Sequence, residues 1–133
     1  MLNTITLNPL EQSTKKIVEL LTQLTQDYQQ VLQQDKKTLL ENFPPNNHKF
    51  SILEEIDLLT TYLRGYASQI TINQQIKNPD QSLKNLRAIC ILKNPSLAEL
   101  YFTKNEQFSL IYQYLQKLDY LKLLLIDWLM LHE

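Results

Sequence analysis

From Pro95 onward the chain carries apolar side chains at Leu97, Tyr101, Phe108, Ile111, Leu115, Leu118, Leu125 and Leu129. The steps alternate between three and four residues, with Lys104 and Lys122 filling the gaps, which is the heptad seam of a helix packed along other helices. No Pro or Gly interrupts the stretch after Pro95. One continuous helix over 95–131 would be long, rising ~1.5 Å per residue. Its end, Tyr120-Leu121-Lys122-Leu123-Leu124-Leu125-Ile126-Asp127-Trp128-Leu129-Met130-Leu131, is apolar on most sides. Such a helix is either deeply covered by its own chain or waiting for a partner.

The same periodicity predicts three further helices. Over 9–43 the seam is Ile17, Leu21, Leu24, Tyr28 and Val31, opposite a face rich in Gln and Thr. At Asp35 the register slips, and Leu32, Leu39, Leu40 and Phe43 take over the apolar load. Pro44-Pro45-Asn46-Asn47 ends that helix, because a proline disfavours helical dihedrals at the residue before it. A second helix over 48–76 has the seam Ile52, Ile56, Leu59, Leu63, Tyr66 and Ile70, with Ser51 and Glu54 at capping-box spacing. Gly65 lies inside it at a cost of about 1 kcal/mol relative to alanine, for which a close helix crossing is one reason. Two alike joints, Lys77-Asn78-Pro79-Asp80 and Lys93-Asn94-Pro95-Ser96, place Asn as N-cap and Pro at the first helical position. A short helix over 79–92 lies between them. Short connections make neighbouring helices antiparallel.

Composition narrows this to an all-α fold, an antiparallel helical bundle or coiled coil of three long helices and one short one. The 133 residues suit one domain. A single glycine is too few for sheets joined by tight turns. With 13 Lys and Arg against 14 Asp and Glu, the overall field favours neither nucleic acid nor an anionic membrane. The lone Cys90 forms no internal disulfide and fits a reducing compartment. No apolar run approaches the roughly 20 residues of a bilayer span, and the N-terminus lacks a signal-peptide pattern. The expectation is a soluble, cytoplasmic protein.

Candidate chemistry is sparse. His48 and His132 are the only histidines, and neither has a Cys or carboxylate at metal-ligand spacing. His48, followed by Lys49, invites comparison with a phosphotransfer histidine, but Ile52 and Leu53 stand where that site would want a lysine with a glycine beside it. Cys90, between Ile89 and Ile91, reads as a small core residue. Glu54, Glu55 and Asp57 point in different directions on a helix and read as a solvated face. One glycine forms no phosphate-binding loop. The expectation is a protein that is not an enzyme and takes no cofactor or metal. Phe102, Tyr112 and Tyr114 lie off the C-terminal seam and, with Trp128 and Met130, are candidates for a binding surface.

The run Leu20-Leu21-Thr22-Gln23-Leu24 to Tyr28, then Val31-Leu32-Gln33-Gln34-Asp35 and Leu39-Leu40, resembles the opening of FlgN-type flagellar export chaperones. Lys104-Asn105-Glu106-Gln107-Phe108-Ser109-Leu110-Ile111, running on to Leu115 and Leu118, is similar to that family's last helix. The resemblance implies a bacterial chaperone that holds hook–filament junction proteins and delivers them to type III export, with export-gate or ATPase components as further partners. The client's helical end would pack on the C-terminal helix. Carried over, the client-facing residues are Phe108, Ile111, Leu115, Leu118, Tyr120, Leu121, Leu125 and Trp128. From a different class comes the alternative of a structural or regulatory bundle whose C-terminal stripe closes a homodimer.

Overall fold

The computed structural model describes residues 8–32, 52–91 and 106–132. Among them the fold is all-α, with three long helices and one short one and no strand. Helix α1 runs Pro9–Leu32, α2 runs Ile52–Ser68, α3 runs Pro79–Ala88 and α4 runs Glu106–His132. The Asp35 register slip, the Pro44-Pro45 joint, His48, Phe102 and the Lys93-Asn94-Pro95 joint lie outside the described residues.

Helix α1 starts at Asn8. Its Oδ1 accepts the Glu11 backbone N–H at 2.8 Å, and its Nδ2 donates to Glu11 Oε1 at 3.0 Å, a side-chain variant of the capping box. Pro9 follows at the first helical position, where its missing N–H costs nothing. Ile17, Leu20, Leu24 and Val31 are buried from this helix, while Leu21 and Tyr28 are half-buried.

Helix α2 buries Ile56, Leu63, Tyr66 and Ala67. Regular α-helix stops at Ser68, short of the expected end at 76, and continues as one π-helical turn, Gln69–Asn73. Two features explain the loosening. Ile70-Thr71-Ile72 are consecutive β-branched residues, which crowd the preceding turn. Gln69 also turns its side chain to the following linker, its Oε1 accepting the Lys77 N–H at 2.9 Å. The chain leaves at Gln74, in the left-handed region at φ 56°, with its N–H on the Ile70 carbonyl at 3.0 Å. A Cβ built on Gly65 meets nothing within 4 Å, so no close helix crossing requires this glycine.

Asn78 precedes α3 as expected, with Pro79 next, but it adopts a left-handed conformation (φ 50°) and its side chain makes no cap bond. Helix α3 ends at Ala88 instead of continuing to 92, and Ile89 is extended. Extended backbone alternates its side chains. Ile89 is half-buried, Cys90 exposed and Ile91 buried, which corrects the core position expected for Cys90. Lys122 reaches across from α4 and donates to the Ile89 carbonyl at 2.7 Å, satisfying an acceptor at the end of α3.

Helix α4 is the hub, since α1, α2 and α3 all pack on it and α1 does so most extensively. Its buried arc is wide: Ile111, Tyr114, Leu115, Leu118, Leu121, Leu124, Leu125, Trp128 and Leu129. Tyr114 lies inside this arc, correcting its expected position off the packed face; Tyr112 is half-buried.

Candidate functional site

The eight residues that the resemblance would make client-facing separate into three groups. Ile111, Leu115, Leu118, Leu121 and Leu125 are fully buried beneath the chain's own helices. Trp128 is also buried, yet its side chain helps line the floor of a surface groove. Tyr120 is half exposed on the far side of α4. The Phe108 side chain is outside the described set. Burying leucine-sized side chains contributes roughly 1.5–3 kcal/mol each. The interior group is therefore already used in holding the monomer together.

The groove runs between α1 and α2. Both helices rest on α4, while they touch one another only sparsely. Towards the N-terminal end of α1 it is lined by Leu10, Thr14 and Val18 on one wall and Ile70, Thr71 and Gln74 on the other, with Trp128 as floor and a volume of about 650 Å³. It continues past Val18 and Thr71 into a second cleft of about 600 Å³ bounded by Leu21, Thr22, Thr25, Arg64 and Ser68. From Leu10 to Thr25 the α1 wall is roughly 22 Å long at 1.5 Å per residue. That equals about four turns of a docked helix.

The α1 wall is built by one recurring device. Thr14, Thr22 and Thr25 each donate their hydroxyl to the carbonyl four residues back, at 3.0, 3.2 and 2.9 Å. A hydroxyl that has donated still has lone pairs to offer. Thr14 uses them to accept the Trp128 indole N–H at 2.9 Å, and Thr25 accepts from the Arg64 guanidinium. These two contacts tie α1 to α4 at one end of the groove and to α2 at the other. The sequence displays the threonines but not this use of them, because the pairing partners lie 114 and 39 residues away.

Beyond the Thr25 end, a polar layer crosses all three long helices. Lys117 of α4 pairs with Asp27 of α1. The Tyr28 hydroxyl donates to Asp57 Oδ1 at 2.6 Å, linking α1 to α2. Thr60 and Tyr114 share a buried hydroxyl–hydroxyl bond of 3.0 Å between α2 and α4, and the Tyr28 and Tyr114 rings sit 5.6 Å apart. Burial, with the Asp57 carboxylate beside it, pushes the Tyr28 phenol up to about 12. Burial also raises that of Tyr114. Unlike an apolar seam, such a layer admits one axial register, because sliding either helix by a turn would leave its polar groups unpaired.

Comparison with protein-family models, curated proteins and solved structures finds no match to this chain. Functional meaning therefore rests on the groove, the surface of α4 and the residues quoted above. Among the described residues, no three His, Cys, Asp or Glu side chains are placed to hold a metal ion, and no helix is long and apolar enough to cross a membrane.

Proposed function

We propose that this protein binds a helical segment of another protein in the groove between α1 and α2. Following the resemblance to FlgN-type chaperones, its client is the helical end of a hook–filament junction protein held for type III export. The observation that supports the reading is the open groove itself. It offers half-exposed Val18 and half-buried Leu10 and Leu21 above buried Ile70 and Trp128, with Glu11, Lys15, Arg64 and threonines at its rim. This is the mixture of apolar anchor positions and polar edge that receives an amphipathic helix. Within the closed bundle a client lies above buried Trp128, while Ile111, Leu115, Leu118, Leu121 and Leu125 become available only if α1 swings aside.

The test is co-expression with the hook–filament junction proteins of the same genome, followed by size-exclusion chromatography. A stable complex is expected, and Val18→Glu and Thr71→Glu should abolish it while leaving helicity and melting temperature unchanged. Val18 is half exposed and Thr71 exposed, so neither change disturbs the core. Absence of any complex, or a complex indifferent to both substitutions, overturns the groove as the client site.

A further inference from the structure

The two clefts that make up the groove differ in charge. Glu11 and Lys15 both stand at the Leu10 end, so opposite signs offset one another there. In the cleft of about 600 Å³ at the Thr25 end, Arg64 is the one charged residue of the lining. Val18, Leu21, Thr22, Ser68 and Thr71 surround it without a carboxylate. The Arg64 guanidinium donates through Nη2 to the Thr25 hydroxyl. A guanidinium carries five N–H donors, so this bond leaves most of the fork unused.

The carboxylates of the adjoining polar layer are engaged elsewhere. Asp27, two residues beyond Thr25, lines a cleft towards α4 and is paired with Lys117. Asp57 accepts the Tyr28 hydroxyl. It precedes Arg64 by seven residues of α2, roughly 10 Å, which exceeds the ~8 Å screening length at physiological salt. Glu19 is exposed and lines neither cleft. Among the described residues Arg64 makes no ion pair. A half-buried guanidinium held by one neutral hydroxyl at the wall of an open cleft is suited to a carboxylate, whose two oxygens its planar fork binds together.

We infer that Arg64 selects what the groove takes: a helical segment with an Asp or Glu set among its apolar residues. The inference rests on the groove reading above and adds the chemistry of the segment. Both clefts share Val18, and Val18 and Thr25 are seven residues apart on α1. Seven residues are about two helical turns, roughly 10 Å. The acidic residue therefore stands two turns from an apolar side chain seated on Val18, on the same stripe of the segment. Thr25 is a positioning residue, since it holds the guanidinium at the wall. A segment with a neutral side chain at that place would cover Arg64 without a counter-charge and is discriminated against.

Fluorescence anisotropy of the full-length chain with two labelled peptides tests this. Each is acetylated, amidated and about 18 residues long, enough for the four-turn groove, and carries a leucine stripe. One has Glu in the middle of that stripe and its twin has Gln, a residue of similar helix propensity. A leucine seven residues to either side of that position makes the match independent of docking direction. The Glu peptide should bind about tenfold more tightly, the magnitude of one hydrogen bond to a charged group. Arg64→Gln should erase the difference, and Arg64→Lys, which keeps the charge without the fork, should retain only part of it. Equal binding of the two peptides to the wild type overturns the inference, a comparison that needs no variant. A Glu preference that survives Arg64→Gln in a folded protein also overturns it. If the peptides bind equally and Val18→Glu abolishes both complexes, the groove stands and only the role of Arg64 falls. Binding of neither peptide, or binding indifferent to Val18→Glu, overturns the groove reading and this inference with it.

Discussion

At the residue scale, backbone preference and residue type disagree in two places. The chain's only glycine, Gly65, sits mid-helix with open space where its Cβ would be. Gln74, by contrast, occupies the left-handed conformation that glycine adopts without strain. Gly65→Ala should therefore raise stability by about 0.5–1 kcal/mol, read as a higher thermal midpoint. Gln74→Gly should stabilise by a similar ~0.5–1 kcal/mol, because the αL strain it relieves exceeds the added chain entropy. Tyr28 supplies a pH prediction. Its phenol ionises at about 12 in the folded protein against 10.0 when unperturbed. The native state thus holds this proton more tightly than the unfolded chain. The resulting stability is complete below pH 10 and is lost as pH rises towards 12. Alkaline unfolding followed by circular dichroism should show that loss in the wild type and a smaller one in Tyr28→Phe.

At the element scale, helix α4 contributes differently from its two sides. Trp128→Ala removes a buried side chain packed on α1 and should cost about 3–5 kcal/mol. The Thr14→Val change deletes an acceptor of the indole N–H while nearly preserving volume, so about 1–2 kcal/mol is expected. Both are measurable by denaturant titration. The Asp27–Lys117 pair behaves otherwise. Both side chains are about a third exposed, and a pair so accessible to water contributes only ~0–1 kcal/mol. Lys117→Met should leave stability within that range, and any larger loss would mean that the polar layer acts as one coupled unit.

At the scale of the whole molecule, one probe reports on the groove directly. Trp128 is the only tryptophan, and it forms the groove floor. In the proposed client complex its fluorescence should therefore shift. A client captured with no change in Trp128 emission would show that it binds away from the groove.

What the sequence determined by itself was the class of structure and most of the covered side chains. Three- and four-residue spacing predicts Ile17, Leu24, Val31, Ile56, Leu63, Ile70, Ile111, Leu115, Leu118 and Leu125 as interior, and all ten are buried. Such spacing is local, following from 3.6 residues per turn, so it is legible along one chain. It reports which side of a helix is apolar but not how many neighbours that side meets. For that reason Tyr114 and Trp128 looked available and prove enclosed: α4 is covered on three sides, and its buried arc is wider than one seam. Cys90 was misplaced because the helix ends at Ala88 and the chain turns extended at Ile89, so the helical period no longer applies. The Thr14–Trp128 and Thr25–Arg64 bonds, and the groove they frame, join residues far apart in sequence. No periodicity encodes them. Tertiary packing alone decided that one apolar side of α4 became core and the other surface.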